Sequence, residues 1–280
     1  MTQGGFATST GHVLSTANWL DLHFQICEPE YAALVKMAGF EPDWHVLDAG
    51  SGSGSYLKLL AEQVGTDGRL TALDLAPENI TLIKNRIASE PRKPSIEAIE
   101  GSILDLPFSD GTFDGVWCAN VTMYLSDTEL RKALDEFYRV TRPGGLVAIK
   151  DFSVDISTLK PMPYGYFEHL VERHLECPTN SWRGSTRTWN LRSFLLKAGL
   201  RDVWQRSLLS EHRAPLTPEN QQLQGDFMKH LATGALELEL PEEEHDFWKR
   251  QLDPASPDAM VNQPDFYNAE AQMLAVGRVP

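Results

Sequence analysis

The residues best suited to chemistry form one short run, Val46-Leu47-Asp48-Ala49-Gly50-Ser51-Gly52-Ser53-Gly54, in which an apolar stretch opens into three alternating glycines. Glycine tolerates positive φ and lets a ligand approach the bare main chain. A helix starting just beyond would add unpaired N–H groups. A dinucleotide's pyrophosphate asks for G-x-G-x-x-G. Here the spacing is G-x-G-x-G, and a third glycine of the other register would fall at Ser55 or Leu57. Asp48 lies inside the strand end, where a carboxylate repels a pyrophosphate and suits a cationic sulfonium. About twenty residues after the glycines, Asp74 closes Leu70-Thr71-Ala72-Leu73. There its carboxylate can accept hydrogen bonds from both hydroxyls of a ribose. A glycine turn without a ligand, with Asp74 as a simple helix cap, is the plainer alternative. Three alternating glycines after an apolar strand argue against it.

Such a turn needs strands and helices in alternation to hold it, and the sequence supplies them. Strands are expected at 45–49, 69–74, 96–99, 113–119 and 146–151, with helices at 56–64 and from Pro77 onward. Ser126-Asp127-Thr128-Glu129 has the form of a capping box. Leu130, Leu134, Phe137 and Val140 then mark one helical face, which Pro143-Gly144-Gly145 should stop. Earlier, Glu28-Pro29-Glu30 opens a helix that ends at Gly39. Later, a helix is expected at 189–198, a strand at 202–209, a helix at 241–252 and a closing strand at 272–276. The pattern predicts an α/β fold: a Rossmann-like, doubly wound, mostly parallel seven-stranded sheet with helical cap insertions. Residues 1–40 read as an N-terminal helical lead-in, its first fifteen residues mobile. Residues 41–280 read as one domain with cap insertions at about 153–188 and 210–268. Ligands on such sheets bind outside the carboxyl ends of the strands.

The 280 residues carry 39 acidic and 25 basic side chains, a net charge of −14. With no basic run to neutralise phosphates, a nucleic-acid partner is not expected. No apolar run reaches membrane-spanning length, and residues 1–35 hold no Lys or Arg to open a secretory signal. Cys27, Cys118 and Cys177 are few and widely spaced, which suits reduced thiols in a cytoplasmic protein. They form no compact cluster of the kind arsenic chemistry would need.

In their order these elements resemble the class I S-adenosylmethionine-dependent methyltransferases, over roughly residues 41–152. Val46–Gly54 is similar to the family's first motif and Leu73-Asp74 to its second. Gly101-Ser102-Ile103-Leu104-Asp105-Leu106-Pro107-Phe108, followed by Phe113-Asp114-Gly115-Val116, is similar to the third. Arg139-Val140-Thr141-Arg142-Pro143-Gly144-Gly145 is similar to the turn before the fifth strand. The Leu-Pro-Phe and Arg-Pro-Gly-Gly elements resemble the branch of ubiquinone/menaquinone C-methyltransferases and natural-product methyltransferases.

The resemblance implies S-adenosyl-L-methionine as cofactor and a set of roles. Gly50, Gly52 and Gly54 would admit its methionine and ribose parts, with Asp48 near the methionine amino end. Asp74 would hold the ribose, Leu75 would pack on adenine, and Ser102 and Ile103 would border the adenine edge. The backbone around Asn120 would help hold the methionine. Many relatives carry Asp where this chain has Ser102, so weaker adenine selectivity is expected.

Methyl transfer from a sulfonium is a direct displacement whose demands are alignment and water exclusion. A general base is needed only if the acceptor must lose a proton early. Candidates are Tyr124, Asp151 and His23. Packing, a cap and a satisfied histidine, respectively, are the plainer readings of these three. His169 and His174, near Glu168 and Glu172, match no zinc spacing, so a solvated helix and no metal are expected. The aromatics of the insertions, among them Tyr164, Tyr166, Phe167, Trp182, Phe227, Phe247, Trp248, Phe266 and Tyr267, should mostly build the insertions' own cores, with a few lining an acceptor pocket.

The expected function is methylation of a small, apolar or aromatic metabolite by an enzyme of open oligomeric state, a homodimer being compatible. The alternatives are a protein that keeps the pocket for another reaction or none, and a nicotinamide-dependent oxidoreductase.

Overall fold

The structure, a computed structural model, describes residues 5–7, 13–15, 17–89, 94–176 and 184–280. Cys177 and Trp182 lie outside the described residues, as does most of 1–15. Within that start, β1 (Gly5–Ala7) and β2 (Val13–Ser15) pair antiparallel.

From there the chain runs α1 (Ala17–Ile26), α2 (Glu28–Ala38), β3 (His45–Ala49), α3 (Leu57–Val64), β4 (Arg69–Asp74), α4 (Pro77–Ser89), β5 (Ser95–Glu100) and β6 (Phe113–Ala119). It continues through α5 (Asp127–Val140), β7 (Thr141–Lys160), α6 (Tyr166–Glu176), α7 (Leu191–Lys197), β8 (Arg201–Arg213), α8 (Pro218–Ala235), α9 (Glu242–Arg250) and β9 (Tyr267–Arg278). The main sheet has seven strands in the order β5-β4-β3-β6-β7-β9-β8. The strands from β5 to β7 pair parallel, while β9 runs antiparallel between β7 and β8. The expected fold class is what the structure shows. The strand order turns back between β3 and β6, where an open α/β sheet has its crevice.

Side chains alternate across each strand, and this sorts the core into two layers. Val46, Trp117, Ala148, Leu274 and Val276 face the side covered by α2, α3 and α4. Leu47, Ala49, Cys118, Ile149 and Ala275 face α5 and α7. A third apolar cluster joins the two insertions through Val154, Leu159, Phe167, Leu170, Met228, Phe247, Trp248 and Phe266.

Helix α5 begins as its sequence predicts. The Ser126 hydroxyl accepts from the Glu129 N–H at 3.2 Å, and the Glu129 carboxylate accepts from the Ser126 N–H at 2.8 Å. Leu130, Leu134, Phe137 and Val140 are all buried. Ser126→Ala should lower stability by about 1 kcal/mol, as read from the midpoint of a denaturant titration.

Several boundaries differ from expectation. α5 ends at Val140, before Pro143, and β7 starts at once and runs to Lys160 rather than Asp151. β8 and β9 are likewise longer than 202–209 and 272–276. The cause is long-range. β9 pairs with β7 as far as Lys160↔Tyr267 and with β8 as far as Arg213↔Tyr267, so three strands outgrow the parallel sheet together. Residues 153–160 and 210–213 are therefore strand, not insertion. Nor is α6 a solvated helix: Phe167, Leu170 and Val171 are buried, and His169 Nδ1 lies 3.0 Å from Glu244 Oε1 on α9.

Candidate active site

The glycine turn joins β3 to α3 at the carboxyl end of the sheet. Its shape is set by the neighbouring strand: the Gly50 and Ser51 N–H groups donate to the Leu73 carbonyl at 2.7 and 2.9 Å. Gly50 has φ +78°, and a Cβ there would stand 2.5 Å from Val121 Cγ2, just past β6. Gly54 has φ +81°, and a Cβ there would meet Leu57 Cδ1 at 2.9 Å. Only glycine suits these positions.

Asp74 ends β4 against the turn. Its Oδ2 accepts from the Gly52 N–H at 2.8 Å, and its Oδ1 accepts from the Ala76 N–H and from Asn79 Nδ2, each at 2.9 Å. Asp48 is buried on the α2/α3 side, and its Oδ2 has no hydrogen-bond partner. Burial, aided by the Asp74 charge, pushes its carboxyl up from the ordinary 3.8 to about 8. Ser51 Oγ and the Tyr56 hydroxyl are also buried without partners. Buried polar atoms are normally satisfied, so this group marks where a ligand's own donors and acceptors belong.

The remaining expected residues fall as follows. Leu75 stands exposed beside Asp74, and Ile103 is buried. Ser102 Oγ accepts from the Leu104 N–H at 3.1 Å. Asn120, at φ +57°, closes β6; its N–H donates to the Lys150 carbonyl at 2.7 Å. Asp151 is fully buried, takes the Thr122 hydroxyl's hydrogen bond and keeps its Oδ1 unpartnered. Burial pushes its carboxyl up to about 6 against the opposing pull of Thr122 and Lys150. Tyr124 is nearly half exposed on the turn after β6. His23, on α1, donates or accepts between the Tyr31 hydroxyl at 3.1 Å and Glu270 Oε2 at 2.9 Å.

Sequence reasoning missed a polar layer on the α2/α3 face of the sheet. Lys150 is completely buried, donates to Asn120 Oδ1 at 2.7 Å and holds its ammonium 4.2 Å from the Tyr31 ring centre. Burial pulls its pKa down to about 8. His212 and Glu270 lie further along the same face. The readable signal was a lysine following Leu146-Val147-Ala148-Ile149 in a buried run. Asp21 was missed as well. It accepts from Ser53 Oγ at 2.9 Å and Ser55 Oγ at 3.1 Å, so α1 lies across the glycine turn.

Residues 46–145 match the family described as "Methyltransferase domain". A demethylmenaquinone methyltransferase of Symbiobacterium thermophilum is 33% identical over 145 residues, 50% of this chain and 54% of that protein. A 2-phytyl-1,4-naphtoquinone methyltransferase of Nostoc is 33% identical over 139 residues, 48% of this chain and 57% of that protein. The chain thus spans little more than half the length of these relatives. A phosphoethanolamine N-methyltransferase 2 of Haemonchus contortus, solved with S-adenosyl-L-methionine, superposes with a TM-score of 0.57 over 95% of this chain and 57% of its own, at 17% identity. Residues 46–145 are thus similar to a methyltransferase domain, and the same region is similar to part of the two quinone methyltransferases. Asp48, the G-x-G-x-G turn and this match together leave the dinucleotide alternative unfavoured. Among the described residues, no helix is long and apolar enough to cross a membrane.

Proposed function

We propose that the chain transfers a methyl group from S-adenosylmethionine to a small, apolar or aromatic acceptor by direct displacement, in the cytoplasm. The observation that carries this reading is the buried Asp48 carboxylate, without a partner on Oδ2, beside a turn of bare main chain. The residues fit the cofactor. Asp74 would take the ribose hydroxyls on lone pairs left beside its three internal bonds. Asp48 would face the cationic methionine end, with Ser51 Oγ and the Asn120 backbone completing that end. Exposed Leu75 would pack on adenine, with Ser102 and Ile103 at its edge. The cofactor supplies an already activated methyl group, so the protein's tasks are alignment and exclusion of water. α1 serves the second task by lying over the turn. The two insertions, joined by their own apolar cluster, are read as a cap on the acceptor side. A ring-bearing acceptor is supported by the quinone substrates named for the two relatives.

The test is turnover of methyl-labelled S-adenosylmethionine with a panel of reduced quinones, phenols and small amines. Acceptor-dependent S-adenosylhomocysteine and a labelled, methylated ring product are expected. Failure of calorimetry to detect cofactor binding at all would overturn the reading.

Asp48 also predicts a pH dependence. In the free protein its carboxyl stays protonated up to about 8, whereas an unfolded chain loses that proton near 3.8. The folded state then holds the extra proton, so this group's contribution to stability falls as pH rises between those values. A cationic ligand reverses the preference and expels the proton. Cofactor affinity should therefore climb by up to about tenfold per pH unit below pH 8 and level off above it. Calorimetry in two buffers of different ionisation enthalpy should show proton release on binding, and Asp48→Asn should abolish it.

A further inference from the structure

Outside the cofactor site, His23, Cys27 and Glu270 bring their ligand atoms within 4.8 Å of one another, and a fourth potential metal ligand, His212, stands beside Glu270. His23 and Cys27 are four residues apart at the end of α1, a spacing that sets both on one side of the helix. Glu270 faces Ser210 across the β8–β9 ladder, and His212 lies two residues beyond Ser210, so His212 and Glu270 are diagonal neighbours on one sheet face. His23 Nε2 lies 2.9 Å from Glu270 Oε2 and 3.9 Å from Cys27 Sγ. His212 Nε2 lies 3.3 Å from Glu270 Oε1, yet makes no hydrogen bond. Cys27, His212 and Glu270 are buried, and the His23 side chain is 14% exposed. We propose that His23, Cys27, His212 and Glu270 form a divalent-metal site of the kind zinc fills, tying α1 to β8 and β9.

The magnitudes support a tetrahedral site. Zinc bonds of about 2.0 Å to nitrogen or oxygen and about 2.3 Å to sulfur put neighbouring ligand atoms about 3.3 to 3.6 Å apart. The separations of 2.9, 3.3 and 3.9 Å straddle those values, and the His23, Cys27 and Glu270 ligand atoms lie within 4.8 Å of one another, so the largest side-chain adjustment falls to His212. Two imidazoles, a thiolate and a carboxylate form a donor set that suits zinc over magnesium or calcium. Four protein ligands leave no open position, which defines a structural site. The Tyr31 hydroxyl on His23 Nδ1 orients that ring from behind, as outer partners of metal-bound histidines do. An ion here would also engage His212 Nε2, which stands 3.3 Å from Glu270 Oε1 without a hydrogen bond. Its consequence would be mechanical: α1 carries Asp21, which holds Ser53 and Ser55, so the ion would fasten the helix that covers the glycine turn. Spacing patterns in sequence could not show such a site, because its ligands come from a helix end and two distant strands.

The test uses the full chain made without a histidine tag. Elemental mass spectrometry should find one zinc per chain. Cobalt(II) added to the reduced, metal-stripped protein should give tetrahedral d–d bands and a thiolate-to-cobalt charge-transfer band saturating at one equivalent. Cys27→Ser should lose the charge-transfer band, and His212→Ala should bind cobalt at least tenfold more weakly. Cys118→Ala, which changes a thiol elsewhere, should keep the full spectrum. A wild-type chain that is metal-free as purified and gives no cobalt bands overturns the proposal, as does a Cys27→Ser spectrum identical to wild type. The wild-type measurement stands alone if a variant does not fold. None of these readouts involves S-adenosylmethionine, so failure here and failure of the methyl-transfer reading are separable.

Discussion

Asp74→Ala is expected to weaken S-adenosylmethionine binding by more than tenfold, with part of the loss coming from the turn itself. Hydrogen bonds to a charged group contribute about 1.5 to 3 kcal/mol each, so losing even one ribose contact reaches that factor. The same carboxylate also holds the Gly52 and Ala76 N–H groups and Asn79 Nδ2. Removing it leaves buried or half-buried donors without an acceptor, at a cost of about 1 to 3 kcal/mol in stability. The sequence alone points to a ligand contact with the fold untouched; the structure makes Asp74 a brace as well. Asp74→Asn separates the two effects. Its amide oxygen can replace only one of the two accepting oxygens, and its NH2 then faces a donor on the other side, so only part of the stability should return, while binding stays weakened because the charge is gone. Calorimetry on both variants checks the binding, and thermal melts check the brace. Unchanged affinity in Asp74→Ala would remove the ribose assignment.

What could be read from the chain beforehand divides along physical lines. The glycine turn, the capping box at Ser126 and the succession of parallel strands depend on residues close in sequence, and each appears where its residues put it. The ends of β7, β8 and β9 depend on partners more than fifty residues away. Apolar content marks their centres, but only antiparallel pairing carries them out to Lys160, Arg213 and Tyr267. The polar layer was hidden for a related reason. Lys150, His212 and Glu270 are isolated polar residues in strands that otherwise read as core. Their meeting depends on alternation and register: the same face that carries Ala148, Leu208 and Leu274 into the apolar cluster under α2 and α3 carries these three at its upper end. His23 could be singled out as a candidate, yet nothing local shows that Glu270 is its partner. Tyr124, chosen because it follows the fourth strand, is nearly half exposed, whereas Asp151, chosen because it ends the fifth, is buried.

The most damaging single change expected is the smallest one, Gly50→Ala. Two separable costs meet at that position. An alanine at φ +78° sits in the left-handed region, which costs about 1 to 2 kcal/mol for a residue with a Cβ. The added methyl group would also stand 2.5 Å from Val121 Cγ2 and 3.1 Å from its Cγ1, and such overpacking typically costs about 1 to 3 kcal/mol. Together they predict a loss of about 2 to 5 kcal/mol in stability. Relief of the contact would draw the turn away from Leu73 and spoil the main-chain surface the cofactor needs, so calorimetric binding should disappear. Trimming the partner tests the account. In Gly50→Ala/Val121→Ala the steric part should be recovered and the backbone part retained, giving a favourable coupling of at least about 1 kcal/mol in a double-mutant cycle. Strict additivity of the two substitutions would mean that Val121 does not press on the turn. A Gly50→Ala chain as stable as wild type and still able to bind S-adenosylmethionine would mean that the ligand does not lie against this main chain at all.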